Sequence, residues 1–248
     1  MSFRIKGGGM RVKGAAATAA SSVASGYTPA AATHSVLIDE DFLDGAIAGL
    51  FAVAASGTGT STIGLGDQGA PGYFRCATGV TVAGRESYIS SAQPLLFGNT
   101  DVYTLRERHR VTPLSTVAEQ WVTRFGFGDT VGAAQVDGAH FEGDSSVFAN
   151  WQCVVSSNSV RSTADSGVAI PLNTWQSFKI VATNASILFY IDGNLVATIA
   201  TNIPSGAGRN CGVFGHVIKA VGTVNSGVLD TDYINLVADF TTQRGSSV

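Results

Sequence analysis

The chain has 248 residues, enough for one large β-sandwich or two small domains, and no interior stretch has the composition of a linker. Hydrophobic residues make up 45% and charged residues only 13%, about half the usual charged share, which argues against a solvated helical enzyme. The net charge of −3 is uneven: residues 1–38 hold four basic residues and no acid, and the rest holds 11 basic and 18 acidic residues.

Residues 1–35 are rich in glycine and alanine and weakly basic. A segment with so few large apolar side chains cannot offset its own ordering entropy, so we expect a flexible, extended N-terminal arm. Residues 15–25 contain one valine and no leucine, isoleucine or phenylalanine, which does not fit the apolar core of a signal peptide. No run approaches the roughly 20 apolar residues of a membrane helix, and four positive charges are too few for a nucleic-acid-binding tail.

From residue 36 onward the pattern changes to short strand-like runs separated by turn residues. The 30 glycines suit a chain with many tight turns. The strand-like runs lie at residues 36–38, 72–76, 102–111, 121–127, 151–155 and 228–236.

The clearest local signal is a predicted meander of two hairpins between residues 175 and 201. Phe178, Ile180 and Ala182 alternate with more polar neighbours, at the period of a strand with one buried face. A second run follows and ends at Asp192-Gly193. This dipeptide accepts the positive φ values of a type I′ turn, so it predicts a tight hairpin to the next strand.

No stretch of 10–15 residues shows sustained helical periodicity, which excludes a βαβ scaffold. The sequence therefore predicts an all-β protein with two packed antiparallel sheets. We expect one sandwich domain at residues 36–240, preceded by the arm at residues 1–35 and followed by a polar tail at residues 241–248.

Cysteine, histidine and tryptophan often form metal, catalytic or sugar-binding sites, but in this chain we expect them to have structural roles. Three widely spaced cysteines in apolar runs are expected to be buried free thiols rather than a disulfide or a zinc site. The four histidines lack a second ligand at metal-binding spacing, and the three tryptophans lie in or beside strands, so both sets are expected to pack against the sheets. These residues are Cys76, Cys153 and Cys211; His34, His109, His140 and His216; and Trp121, Trp151 and Trp175.

The carboxylates allow two site hypotheses, both weaker than their structural alternatives. A glycosidase needs two facing carboxylates, and the pair Glu142 and Asp144 qualifies only if the strand continues through Gly143. A calcium site needs several converging oxygens. The candidates in predicted loops are Asp129, Asp137, Asp144 and Asp165, and those expected near the paired first and last strands are Asp39, Asp41, Asp230 and Asp232. The favoured interpretation of all eight is that they are solvated acids in turns. We expect no catalytic set, cofactor or metal.

Taken in order, several segments resemble the concanavalin A-like, laminin G-like jelly roll, in the version found in tailed-phage virion proteins. The segments are Asp41-Phe42-Leu43-Asp44-Gly45, Pro71-Gly72-Tyr73-Phe74, Arg124-Phe125-Gly126-Phe127, Trp175 with Phe178-Lys179-Ile180, Phe189-Tyr190-Ile191-Asp192-Gly193 and Leu229-Asp230-Thr231-Asp232-Tyr233-Ile234. The resemblance covers roughly residues 36–240 and implies an antiparallel jelly-roll β-sandwich whose first and last strands lie side by side. It implies fold more strongly than function, because this fold hosts many functions.

The favoured functional hypothesis is a non-enzymatic phage virion protein, a head decoration or minor capsid protein made in the host cytoplasm. It would form a homo-oligomer, with a trimer favoured, and would bind the major capsid protein or other virion proteins, but neither nucleic acid nor membrane. The residues expected to anchor the arm are Phe3, Arg4, Ile5, Lys6, Met10, Arg11, Val12 and Lys13. The alternative is a carbohydrate-binding adhesion module of a tail or head fibre, and a glycan-degrading enzyme is the third hypothesis.

Overall fold

The computed structural model describes residues 34–43, 47, 49–67, 69–91 and 95–240. All eight predicted arm anchors, from Phe3 to Lys13, lie outside the described residues, as does the tail at residues 241–248. The predicted attachment through the arm therefore stays a prediction.

The described residues form fifteen strands and no helix. Their bounds are β1 (His34–Glu40), β2 (Phe51–Ser56), β3 (Thr60–Asp67), β4 (Ala70–Ala77), β5 (Arg85–Ser90), β6 (Val102–Thr112), β7 (Gln120–Gly128), β8 (Gly138–Gly143), β9 (Asn150–Ser157), β10 (Val160–Ala169), β11 (Gln176–Ala182), β12 (Ile187–Ile191), β13 (Asn194–Ile199), β14 (Gly212–Val221) and β15 (Val228–Asp239). Among these residues no helix is long and apolar enough to span a membrane.

The strands form two sheets, and every pair of neighbouring strands is antiparallel. Sheet A has the order β13-β12-β11-β6-β15-β4-β3, with β1 also paired to β15. Sheet B has the order β10-β9-β8-β7-β14-β5-β2. The predicted all-β antiparallel jelly-roll sandwich is confirmed.

The first described strand lies beside the last one, as the family resemblance implied. In the register of β1 and β15, Asp39 is opposite Asn235 and Glu40 is opposite Ile234. The first half of β15 pairs with β4 and its second half with β1, so both strands share one side of β15. The ends of the described chain are thereby joined within sheet A.

The core between the sheets is organised around Phe178 of β11. Its ring packs against Phe125 at 4.7 Å, Phe141 at 4.9 Å and Trp151 at 5.3 Å, measured between ring centroids. The three partners come from β7, β8 and β9 of sheet B, and all are buried. Edge-to-face contacts of this kind add about 0.5–1.5 kcal/mol each to the burial of the rings.

Two local predictions about turns and thiols are also confirmed. Asp192 and Gly193 have φ values of 48° and 83° and connect β12 to β13, as a type I′ turn requires. Cys76, Cys153 and Cys211 are buried free thiols. Burial raises the pKa of the Cys153 thiol to about 12, so this group behaves as a small apolar side chain at neutral pH.

Candidate functional site

The face of sheet B that points away from the core is unusually polar for so well buried a surface. Phe125, Phe141 and Trp151 belong to the core, so the adjacent positions on the same strands face outward. We call this surface the outer face of sheet B. Its residues on the central strands are Arg124, His140, Glu142, Gln152, Val154, Ser156, Phe214 and His216.

Six polar residues of this face stand opposite one another in a single line across the sheet. Successive pairs in the strand register connect Ser87, His216, Arg124, Glu142, Gln152 and Asp165. Each member comes from a different strand, in the order β5, β14, β7, β8, β9 and β10. Neighbouring strands are about 4.8 Å apart, so this transverse row is about 24 Å long.

The centre of the transverse row is an ion-paired triad. Glu142 accepts hydrogen bonds from Arg124, beside it on β7, and from Nη2 of Arg161 at 3.0 Å. Arg161 stands opposite Ser156 in the register, so its side chain crosses β9 to reach Glu142 on β8. Nη1 of Arg124 also lies 3.3 Å from Nε2 of His216.

Two buried histidines lie under these arginine side chains. His140 is 1% exposed and His216 is fully buried, although both belong to the outer face. Burial lowers the pKa of both imidazoles well below the usual range, and nearby positive charge lowers it further. Arg124 acts on both rings, Arg161 on His140 and Arg85 on His216, so each histidine is neutral and has two arginines nearby.

Several polar atoms of this face are buried without a hydrogen-bond partner within the described part of the chain. They are both ring nitrogens of His140, Nδ1 of His216, the hydroxyl of Ser156 and Nε of Arg85. Buried polar groups in proteins are almost always paired, with protein, water or a ligand. The outer face of sheet B therefore contains a concentration of unmet hydrogen-bonding capacity.

The loop between β7 and β8 covers one end of the face. Gln135 holds it in place, since its side-chain oxygen accepts hydrogen bonds from the backbone N–H groups of Asp129 and Thr130. Gly132 packs directly against the guanidinium of Arg85, so a Cβ at this position would have to displace the Arg85 side chain. Asp137 accepts a hydrogen bond from Nη1 of Arg209 at 3.0 Å, which ties the loop to the segment before β14.

Sheet A has a different polar cluster on its own outer face. Asp230 is fully buried and accepts hydrogen bonds from Arg75 (Nε, 2.7 Å) and Arg110 (Nη2, 2.6 Å). Asp67 pairs with Arg110, and Asp232 pairs with Arg108 at 2.7 Å. Three arginines thus meet three carboxylates, so this cluster is a balanced ion-pair network that joins β3, β4, β6 and β15.

This network corrects the interpretation of two calcium candidates. Asp230 and Asp232 are neither solvated turn acids nor open oxygen donors, because they lie within β15 and are paired with arginines. Asp165 also differs from the prediction, since it lies in β10 rather than in a loop. Within the described ranges no group of three or more His, Cys, Asp or Glu side chains has a geometry suited to a metal ion.

The predicted core packing of the three tryptophans is correct for Trp121 and Trp151 but wrong for Trp175. The indole of Trp175 is half-buried at the surface, 4.6 Å from the guanidinium of Arg110 and 5.2 Å from that of Arg108. It therefore stacks against the ion-pair network of sheet A.

Glu142 and Asp144 do not form the pair on one strand face that the glycosidase hypothesis required, because β8 ends at Gly143. Asp144 lies just beyond the end of β8, where the hydroxyls of Ser115 and Ser146 donate hydrogen bonds to it. Glu142 is the one outward-facing acid on β7, β8, β9 and β14, all of which are fully described. A two-carboxylate mechanism has no second partner on these strands.

An apolar pocket of about 310 Å³ lies at one end of the sandwich, and it does not fit a polyhydroxylated ligand. Its polar side chains are few; Oγ of Ser90, for example, already accepts a hydrogen bond from the backbone N–H of Val213. The lining residues include Leu37, Leu50, Leu95, Tyr103, Leu236 and Phe240.

These features define an antiparallel jelly-roll sandwich of the concanavalin A-like class, with a polar outer face on sheet B. The chain belongs to the SO2946-like family: residues 69–232 match the family described as SO2946-like, C-terminal domain. No curated protein matches the chain in sequence.

Similar solved structures share the fold at low sequence identity. The protein of unknown function SO2946 from Shewanella oneidensis MR-1 has a TM-score of 0.58 at 12% identity, covering 86% of this chain and 90% of its own. A glycosyl hydrolase family protein from Mycobacterium fortuitum has a TM-score of 0.57 at 11% identity, covering 81% and 99%. The carbohydrate recognition domain of Emp46p, in a potassium-bound form, has a TM-score of 0.50 at 5% identity, covering 75% and 88%.

Proposed function

We propose that this domain is a non-catalytic glycan-binding module and that the glycan lies across the outer face of sheet B. The observation that carries the proposal is the transverse row, in which six successive strands each supply one polar side chain. Guanidinium, carboxylate, amide and imidazole groups together offer both donors and acceptors, as sugar hydroxyls require. A row about 24 Å long suits an extended polymer better than a small molecule.

Names of two similar structures support the same class of ligand. One is a carbohydrate recognition domain and the other a glycosyl hydrolase family protein. The binding function is preferred over hydrolysis because Glu142 is the only outward-facing acid on the four central strands and is bonded to two arginines. This proposal corresponds to the alternative hypothesis from the sequence, a carbohydrate-binding adhesion module.

A glycan array followed by titration of the full chain tests the proposal. Gln152→Ala should weaken binding of the captured glycan by roughly tenfold, because the amide lies in the transverse row and its loss removes hydrogen bonds to the ligand. Lys179→Ala, on the outer face of sheet A, is the matched control and should bind as the unaltered chain does. Failure to bind any glycan would reject the proposal, and release of sugar from a bound polysaccharide would show an enzyme instead.

The second candidate is the virion structural role, a head decoration or minor capsid protein held in the particle through residues 1–35. The uneven charge supports it, since four basic residues precede a body with 18 acids and 11 bases. Deleting residues 1–26 should then prevent incorporation into particles, measured by mass spectrometry of purified virions. Normal incorporation of the shortened chain would refute attachment through the arm, and light scattering would test the trimer.

A further inference from the structure

The strands of the outer face of sheet B carry one more basic than acidic side chain, on a body that has an excess of acids. Its strands present Arg85, Arg124 and Arg161 against the carboxylates of Glu142 and Asp165. Beyond residue 38 the chain as a whole has 11 basic and 18 acidic residues. The guanidinium groups of this face can therefore pair with an anionic ligand without an excess of carboxylates on the same strands.

Two of the three arginines, Arg85 and Arg161, have N–H donors that are not fully used by carboxylates. Arg85 has no carboxylate within salt-bridge distance in the described parts of the chain, and its Nε is buried without a partner. Arg161 shares its one carboxylate, Glu142, with Arg124, and the Arg161 side chain is 32% exposed. A guanidinium group presents two parallel N–H donors that match the oxygens of a carboxylate or a sulfate.

The surface beneath these arginines is suited to hydroxyl groups. A neutral imidazole has one donor and one acceptor, and three ring nitrogens of His140 and His216 have no partner in the described structure. The Ser156 hydroxyl lies on the same face and is equally unpaired. Arginine side chains are long and flexible enough to swing aside, so Arg85 and Arg161 form a removable cover over these groups.

We propose that the ligand of this face is an acidic glycan, whose carboxylate or sulfate groups pair with Arg85 and Arg161 while its hydroxyls bond to His140 and His216. This inference rests on the proposed glycan-binding function and specifies its substrate class. Arg124 is a positioning residue in this scheme, because it fixes Glu142 and approaches His216. Arg85 and Arg161 are the residues that contact the ligand.

Three polymers separate charge from sugar recognition when tested by affinity electrophoresis and calorimetry on the full chain. Polygalacturonate carries carboxylates, dextran sulfate carries sulfates, and dextran has the same backbone as dextran sulfate without charge. We expect one of the acidic polymers to bind at least roughly tenfold more tightly than dextran does. Its affinity should fall as the salt concentration rises.

Substitution then assigns the binding to this face. Arg85→Ala and Arg161→Ala should each weaken binding of the acidic polymer by roughly tenfold and reduce its salt dependence. Arg161→Lys keeps the charge but loses the planar guanidinium group. Its affinity for the acidic polymer should therefore fall between that of the unaltered chain and that of Arg161→Ala. Arg106→Ala is the control, because Arg106 is exposed on sheet A and should not alter binding.

NMR gives an independent readout. The imidazole nitrogen signals of His140 and His216 should shift when the acidic polymer is added. Equal binding of dextran, unchanged affinity in both alanine variants, or an equal loss in Arg106→Ala would overturn the inference and leave a glycan-binding function standing. Failure of every polymer and of the glycan array would reject both proposals. Circular dichroism of each variant confirms that a loss of binding is not a loss of fold.

Discussion

The imidazole of His109 lies 3.5 Å from the carboxylate of Glu107, measured from Nε2 to Oε2, and both side chains point into the sandwich rather than to solvent. Nδ1 of His109 lies 3.1 Å from Oγ1 of Thr231, which in turn is 3.3 Å from the hydroxyl of Tyr88. A polar chain thus links β5, β6 and β15 inside an otherwise apolar core. Such chains stabilise a unique packing only when their members keep the protonation state that the fold requires.

The pKa of Glu107 makes the stability of the domain dependent on pH. Burial raises this pKa, and the contact with His109 opposes the rise only in part. The fold therefore favours the neutral carboxyl: its stabilisation is complete below the unfolded pKa and is lost as pH rises through the folded pKa. Glu107→Gln should be about 1–3 kcal/mol more stable than the unaltered chain at pH 8 and no more stable at pH 4, as measured by urea unfolding. An unchanged pH profile in the variant would contradict this prediction.

We expect Asp230 to contribute more to the stability of the fold than an exposed acid does. It is fully buried and its partner Arg110 is 3% exposed, so removing the negative charge leaves a buried guanidinium without its main counterion. Asp230→Asn should destabilise the fold by about 3 kcal/mol in urea unfolding at neutral pH. Asp39→Asn, an exposed acid on neighbouring β1, should change stability by less than about 0.5 kcal/mol. Similar values for the two variants would show that the network of sheet A is not a stabilising element.

The fold could be predicted where the sequence has strong local signals. The Asp192-Gly193 dipeptide and the alternation around Phe178 located the meander of β11, β12 and β13. The predicted runs did not include β2, β3, β5, β10 or β14. Of these, β2, β3 and β10 are edge strands, where serine, alanine and glycine replace large apolar residues. Edge positions bury too little surface to leave a clear alternation.

The polar character of the outer face of sheet B was not predicted from the sequence, for a different reason. Arg124, Glu142 and Gln152 come from separate strands, and a slip of one residue in any register would place a side chain on the opposite face. One signal was available: each of these residues is next to a core aromatic residue, namely Phe125, Phe141 and Trp151. A polar residue beside a buried ring on three successive strands marks a polar outer face. Trp175 was misplaced because an aromatic residue before a strand also suits stacking on arginines.

The hairpin between β12 and β13 depends on the positive φ of its glycine. Gly193 has a φ of 83°, a conformation that residues with a Cβ rarely adopt. Gly193→Ala should destabilise the domain by about 1 kcal/mol in thermal or urea unfolding. The control is Thr198→Ala on the exposed side of β13, which should cost less than about 0.5 kcal/mol. A Gly193 variant as stable as the control would mean that the turn relaxes without strain.

We expect the carboxylate of Glu119 to order the turn between β14 and β15. Its carboxylate accepts hydrogen bonds from the backbone N–H groups of Thr223, Val224 and Asn225, at 3.0–3.1 Å, and from Nζ of buried Lys219 at 2.6 Å. The bond from Lys219, with those from the backbone, lowers the pKa of Glu119 to about 2. The stabilisation is therefore present above the unfolded pKa and is lost as pH falls toward about 2.

Glu119→Gln keeps an acceptor but removes the charge that holds these donors together. We expect the amides of residues 223–225 to exchange hydrogen several-fold faster in this variant at neutral pH, because the turn opens locally more often. The Asp192-Gly193 hairpin lies in sheet A away from this turn and should exchange at its original rate. Unchanged exchange at residues 223–225 would show that the backbone of the turn is stable without the carboxylate, and faster exchange everywhere would show a global loss of stability instead.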